Sequence, residues 1–157
     1  MPNITDVQVT AELVTLIQTA APDAKVYPYI RYAIDDSDWA TLFTNDSGLV
    51  YAWMVTRVGE DPSIDDFAHV EMYLDTWQIL GVRGIVDTGV YETSSAAIFQ
   101  AAFNTVKLAI NADPALGFGI CNVSHRALKA TNIKDGLFSG RVCHIADCRL
   151  AVELWNV

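Results

Sequence analysis

Cysteine and histidine residues come close together near the end of the chain, and their types would suit a zinc site. Cys143 and His144 are adjacent, Cys148 follows, and Cys121 and His125 lie upstream. Thiolate sulfur and imidazole nitrogen are ligands that zinc prefers. Cys143 and Cys148 are separated by an odd number of residues, so a regular strand would point them to opposite faces. We therefore expect two small core residues here, with no metal and no other cofactor.

A cysteine could also act as a nucleophile if a histidine served as its base. The histidines are His69, His125 and His144, but no nucleophile elbow or cysteine-protease signature surrounds the cysteines. The paired acids fall in predicted loops and helix starts, where solvated or capping carboxylates are the rule. The glycines between residues 81 and 89 match neither a Walker loop nor a dinucleotide fingerprint. We expect no catalytic residues and no enzymatic activity.

The composition indicates one soluble, acidic domain spanning residues 1–157. The hydrophobic fraction is 52%, which leaves apolar surface for a partner as well as a core. A net charge of −9 without clustered lysine or arginine disfavours binding to nucleic acid or anionic lipid. No apolar run reaches the ~20 residues of a membrane helix, and the first residues do not read as a signal peptide. The odd number of cysteines fits a reducing compartment.

Apolar stripes at helical spacing predict two main helices, over 5–20 and 93–111. The first stripe holds Val9, Leu13, Leu16, Ile17 and Ala20. The second stripe holds Phe99, Phe103, Val106 and Ile110. Acids at the start of 35–43 predict a short helix there, because carboxylates stabilise the positive end of a helix dipole. Residues 25–34, interrupted by Pro28, favour an edge strand or an extended crossing.

Alternating residues predict a long antiparallel hairpin from strands 49–58 and 64–80, joined by a loop over 59–63. In the second strand we expect the polar residues His69, Glu71 and Asp75 to face outward. The last third predicts strands over 119–130 and 141–155, with a turn at 134–136. These elements give an α+β fold with a mostly antiparallel sheet and both main helices on one face.

This layout resembles the tail terminator, or neck, proteins of long-tailed bacteriophages. The matching pieces are the helix 9–20, the strands 49–58 and 67–80, the helix 94–111 and the closing strand 141–155. The segments FAHVEMY (67–73) and TSSAAIF (93–99) contribute to the likeness. The resemblance implies a hexameric ring at the head-proximal end of the tail that stops tube polymerisation and joins the tail to the head connector. It implies no catalysis.

The same resemblance implies the partners and the location. The ring would contact further copies of itself, the tail tube protein and the head–tail connector protein, with contact to a sheath left open. DNA would pass through the lumen without specific binding, and no membrane is involved. The protein would be assembled in the host cytoplasm and end in the virion.

The candidate interface lies in two predicted loops, 59–64 and 132–140, and on the last strand. The second of these loops contains two apolar residues at a predicted turn, Leu137 and Phe138. They are either covered by a neighbouring subunit or folded back onto the core. Trp155 shares a strand face with charged residues, which favours a partner there. The candidate interface residues are Asp61, Pro62, Ile64, Leu137, Phe138 and Trp155.

Two further hypotheses compete with the ring. A small ligand-binding or catalytic α+β cone, similar to nuclear-transport-factor-like domains, would have one deep aromatic pocket in a monomer or dimer. Its lining would come from Tyr51, Trp53, Tyr73, Trp77 and His69. A generic interaction module with another partner is the third hypothesis, and it differs from the ring in oligomeric state.

Overall fold

Three α-helices and six strands make up the part of the chain that the computed structural model describes, residues 4–63, 71–86, 88–118, 121–123 and 128–156. This α+β fold confirms the predicted class. The elements are helix α1 Asp6–Ala20, strand β1 Lys25–Tyr27, helix α2 Asp36–Leu42, strands β2 Tyr51–Ser63 and β3 Glu71–Gly84, a 3₁₀ turn Tyr91–Thr93, helix α3 Ser95–Ala112, and strands β4 Cys121–Val123, β5 Lys129–Phe138 and β6 Arg141–Asn156.

The strands form one mixed, mostly antiparallel sheet in the order β1-β2-β3-β6-β4. β1 is parallel to β2, and all the other pairs are antiparallel. β4 and β5 pair with successive parts of the same edge of β6. β2 and β3 form the long predicted hairpin, and β3 is flanked by β2 and β6 along its whole length. The two ends of β3 therefore mark two opposite ends of the sheet.

Helices α1 and α3 pack on one face of the sheet, as predicted. A capping box between Thr5 and Gln8 begins α1, and the Ser94 hydroxyl accepts from the Ala97 amide to begin α3. The buried stripes of both helices meet strand residues in a first core. That core includes Leu13, Ile17, Trp53, Trp77, Phe99, Phe103, Cys148 and Leu150. Burial of these side chains is the main stabilising contribution of this face.

The short helix α2 covers part of the opposite face. Its N-cap is Asp35, whose carboxylate accepts from the Asp38 amide, in line with the predicted acidic helix start. Trp39 and Phe43 pack against Phe138 in a second core, with ring centroids 6.0 and 5.3 Å from the Phe138 ring. The two main helices lie on one face as expected, and this small helix prevents the other face from being wholly exposed.

Two predicted loops are strands. Residues 59–63 continue β2 beyond a register shift between Arg57 and Gly59, so the hairpin is longer than predicted. Residues 132–138 belong to β5, and the chain reverses at Ser139 and Gly140, both with positive φ. The predicted turn at 134–136 is therefore wrong. Continuous pairing with β6 fixes this segment as a strand, and local turn-forming residues do not outweigh it.

The expected facing of β3 is also wrong. Asp75 is 2% exposed and shares the helix-covered face with Trp77 and Ile79. Its carboxylate accepts a 2.9 Å hydrogen bond from Arg57 of β2. The indole N–H of Trp77 donates to the Thr10 hydroxyl, so that residue belongs to the core and not to a partner surface. A buried ion pair and an indole hydrogen bond allow polar groups on an otherwise apolar face.

Candidate functional site

The sheet ends in an apolar surface that no helix covers in the described part of the chain. Leu137 of β5 and Val142 of β6 are register partners and are 73% and 58% exposed. Ile85 directly follows Gly84, the register partner of Cys143, and so comes beside Val142. We define the open-end surface as six exposed residues around this row: Leu49, Ile85, Val86, Ile98, Leu137 and Val142.

The open-end surface is exposed because the first turn of α3 lies further inward along the sheet than the apolar row. His144 follows Val142 by two residues in β6 and therefore lies on the same strand face. Its ring stacks on Phe99 of α3, with ring centroids 6.0 Å apart. Helix α3 starts at Ser95, directly above His144. Leu137 and Val142 therefore extend beyond the first turn of the helix. Contiguous exposed apolar residues of this kind are typical of protein interaction sites.

A cavity of about 310 Å³ indents this surface between the starts of β2 and α3. Leu49, Ile85, Val86 and Ile98 contribute to its lining. Among the described residues that line it, Arg83 is the one with a charge. An adjoining groove of about 370 Å³ runs along α3 and shares Leu49, Arg83 and Ile98 with the cavity. Within the described part of the chain, Arg83 is thus the one cation that lines this cavity, and it lies on β3 two residues before Ile85.

Arg83 is held by an aromatic ring and not by a carboxylate. Its guanidinium carbon lies 4.9 Å from the ring centroid of Tyr51, its register partner on β2. None of the described acids is within ion-pair distance of it, although Asp23 lines the adjoining groove. Arg83 as a whole is half-buried. It therefore keeps its hydrogen-bonding capacity for a group that approaches from outside.

A row of three hydrogen-bonded side chains lies next to the apolar row, with Ser95 and His144 buried and Asp135 exposed. The Ser95 hydroxyl is 2.8 Å from Nε2 of His144, and Nδ1 of His144 contacts the Asp135 carboxylate. Asp135, His144 and Arg83 are neighbours across three strands. The Asp135 carboxylate favours a proton on Nδ1, which leaves Nε2 to accept from the Ser95 hydroxyl in the neutral ring.

These residue types are those of a serine hydrolase triad, but the geometry indicates a structural link. The Ser95 oxygen also accepts from the Val86 amide at 2.7 Å and lies 2.9 Å from the Val86 carbonyl. Ser95 lines the cavity but is only 4% exposed, and its oxygen is already hydrogen-bonded to Val86. A nucleophile needs a free approach to the substrate carbonyl. The hydrogen bonds of Ser95 instead connect the start of α3 to the loop after β3 and to β6.

Sequence reasoning considered His144 as a zinc ligand and as a base for cysteine, and it missed Ser95 and Asp135. Ser95 follows the helix-capping residue, and Asp135 lies in the segment that was interpreted as a turn. The signal that could have found them is the cross-strand register of β5 and β6, which pairs Asp135 with His144. That register depends on where the chain reverses, and this was predicted at the wrong place.

Replacing Ser95 by alanine is expected to lower the free energy of unfolding by about 2 kcal/mol. The change leaves the Val86 amide and His144 without their buried partner, and an unsatisfied buried group costs about 1–3 kcal/mol. Urea denaturation followed by tryptophan fluorescence measures the loss. Ser47→Ala is the control, because that serine is exposed and its hydroxyl makes no hydrogen bond within the described residues. Equal stability of the two variants would contradict the structural link.

The cysteines do not form a ligand set within the described residues. Cys143 lies in the second core and Cys148 in the first, on opposite faces of β6, as their spacing predicted. Burial raises the pKa of the Cys143 thiol to about 11 and that of Cys148 to about 12. Both are protonated at neutral pH and are therefore poor nucleophiles and poor metal ligands. Cys121 is placed beside Leu154 by strand register.

The structure describes five of the six candidate interface residues and does not bring them together. Leu137 belongs to the open-end surface, whereas Phe138 points to the other face and is buried in the second core. Adjacent residues of a strand face opposite sides, which resolves the two alternatives for this pair. Asp61, Pro62 and Trp155 lie at the other end of the sheet, where the register partners are Leu74, Tyr73 and Met72. Ile64 lies outside the described residues, as do His69 and His125.

The structure describes three of the five side chains that the sequence predicts in an aromatic pocket. Trp53 and Trp77 are fully buried in the first core, and Tyr51 is 5% exposed beneath Arg83. The cavity that does exist has aliphatic walls. None of the described helices has both the length and the apolar character of a membrane span. No protein-family model matches the chain, and no curated protein matches it significantly.

Proposed function

We propose that the chain is a structural subunit of a tailed bacteriophage, a tail terminator or neck protein that forms a hexameric ring at the head-proximal end of the tail. The observation that carries the proposal is the open-end surface, which lies at the opposite end of the sheet from the hairpin. A ring of identical subunits needs two different surfaces on each copy, because each contact is head-to-tail. This subunit has an apolar surface at one end of the sheet and the far end of the β2–β3 hairpin at the other.

The order of elements adds support. A leading helix, a long hairpin, a second helix on the same face and a closing strand pair match the layout of the family that the sequence resembles. In the proposed ring, the partners are further copies of the chain, the tail tube protein and the head–tail connector protein. The net charge of −9 suits a lumen through which DNA passes without binding, because like charges repel. The proposed location is the virion, after assembly in the host cytoplasm.

The mass of the purified protein, alone and with polymerised tail tubes, tests the proposal. We expect a hexamer in solution, or rings that form on tube ends and prevent further elongation. Light scattering on a sizing column gives the mass, and electron microscopy of tubes gives their length distribution with and without the protein. A stable dimer that neither binds tube ends nor changes tube length would overturn the proposal.

A small-molecule binding domain is the second candidate function. The cavity of about 310 Å³ is the observation that favours it, since this is within the range of ligand pockets. Its aliphatic walls and the single cation would suit a small apolar anion. The same mass measurement separates the two functions, because this candidate predicts a monomer or dimer that is indifferent to tail tubes.

A further inference from the structure

We propose that the open-end surface receives the hairpin end of the next copy of this chain, and that Arg83 pairs there with carboxylates of that copy. The hairpin end consists of residues 60–63 of β2, 71–74 of β3 and 153–156 of β6, which are strand neighbours. This inference rests on the proposed ring and names the two surfaces that would build it. Four observations support it. Arg83 has no counter-charge among the described residues, and the hairpin end is acidic. The two ends are too far apart to meet within one subunit, and two open-end surfaces that faced each other would bring two Arg83 side chains together.

Arg83 decides what kind of partner can cover the surface. A partner that buried the aliphatic cavity with apolar groups alone would also bury a guanidinium without a counter-charge. Breaking a buried ion pair by removing one partner is strongly destabilising, and a cation buried without any partner is in the same situation. A stable partner must therefore bring an anionic group to the cavity, and a carboxylate matches the planar fork of arginine.

The hairpin end supplies such groups. Its three segments contain the acids Glu60, Asp61, Glu71 and Glu153 and no lysine or arginine. Strand register places Asp61 beside Leu74, and Leu74 beside Glu153, so acids from two strands flank one apolar residue. The same segments of the sequence contain Pro62 and Trp155. An acidic and apolar end thus complements an apolar surface with one cation.

Geometry makes the contact intermolecular and head-to-tail. β3 has 14 residues and runs from one surface to the other, so the two ends are separated by roughly 40 Å. They cannot meet within one subunit. The alternative is a two-fold dimer in which two open-end surfaces face each other, but this would bring one Arg83 close to the other. Repulsion between like charges disfavours that dimer and favours the contact between different ends.

Charge reversal at the two ends gives a sharp test. The open-end variant is Arg83→Glu, and the hairpin-end variant is Asp61→Arg with Glu153→Arg. Each variant alone should stay monomeric, or need a roughly tenfold or higher concentration to assemble, because every contact then opposes like charges. An equimolar mixture should assemble again, since each variant meets an opposite charge at both of its ends. Alternation of the two variants closes in a six-membered ring.

Controls distinguish a failure of the head-to-tail assignment from a failure of the proposed ring. Lys129→Glu reverses an exposed charge away from both ends and should assemble like the wild type. Circular dichroism and thermal melts confirm that each variant is folded. If the wild type forms rings on tail tubes but Arg83→Glu does so equally well, or the folded mixture forms no rings on those tubes, the head-to-tail assignment is overturned and the proposed function stands. If the wild type forms no ring, with or without tubes, both are overturned.

Discussion

Replacing Gly81 by alanine is expected to lower the free energy of unfolding by about 3 kcal/mol. Gly81 of β3 is the register partner of Trp53 on β2. A Cβ at position 81 would lie 2.6 Å from Cζ3 and 2.7 Å from Cη2 of the Trp53 indole. That indole is fully buried and stacks on Phe99 with ring centroids 6.1 Å apart, so it has no space to retreat. Overpacking of a well-packed core costs typically about 1–3 kcal/mol, occasionally more.

Gly59→Ala is the matched control for this prediction. It is the same substitution in the neighbouring strand β2, but nothing lies within 4 Å of the added Cβ. We expect its stability to stay within about 0.5 kcal/mol of the wild type. Urea denaturation with a constant m-value gives both differences. If both variants lost the same stability, backbone effects of glycine would explain the result and the Trp53 contact would not.

Elements set by local periodicity could be predicted from the sequence. The stripe of Phe99, Phe103 and Val106 defines α3 at every helical turn, and the structure buries these residues. Helix caps are equally local, because a side chain and an amide three residues apart decide them. Cys148 and Leu150 alternate with Arg149 in the same local way, and they lie on the buried face of β6. In each case the residues that determine the local structure are separated by only a few positions in the sequence.

Features that depend on distant residues could not be predicted. Asp75 looks like an outward-facing residue among polar neighbours, and only Arg57 on the adjacent strand explains why it faces inward. Ser95 meets His144 from 49 positions away in the chain. The exposure of Leu137 follows from where α3 begins above β6, which no residue near it encodes. Such pairs are fixed by strand register and helix placement, and a single sequence does not report these directly.

Replacing Arg57 by alanine is the second substitution with a large expected effect, about 3 kcal/mol of lost stability. Arg57 contacts three carboxylates, those of Asp6, Glu60 and Asp75. The hydrogen bond that Arg57 donates to the Asp75 carboxylate is the main reason that the pKa of Arg57 is raised above its usual value. Removing the guanidinium leaves the Asp75 carboxylate, with a side chain only 3% exposed, in the core without a counter-charge. Breaking a buried pair in this way costs about 3–5 kcal/mol, and the partial exposure of Arg57 favours the lower figure.

Arg141→Ala tests whether burial of the unpaired carboxylate causes the stability loss of Arg57→Ala. Arg141 pairs with Asp36, whose side chain is 91% exposed, so its loss leaves a carboxylate in water. We expect at most about 1 kcal/mol from this exposed pair, a few tenths of which would come from the Trp39 ring beneath the guanidinium. Thermal and urea unfolding of both variants give the comparison. Similar losses for Arg57→Ala and Arg141→Ala would contradict the buried-charge explanation.

A double-mutant cycle then separates the worth of the Arg57–Asp75 pair from the penalty for an unpaired charge. Arg57→Ala leaves a buried carboxylate alone, whereas Arg57→Ala with Asp75→Ala leaves neither charge. The double variant should therefore be more stable than the sum of the two single losses predicts, by roughly 1–3 kcal/mol. It should also be at least as stable as Arg57→Ala alone. Additive losses would mean that Asp75 is solvated or otherwise partnered after Arg57 is removed, and that this pair does not hold the hairpin against α1.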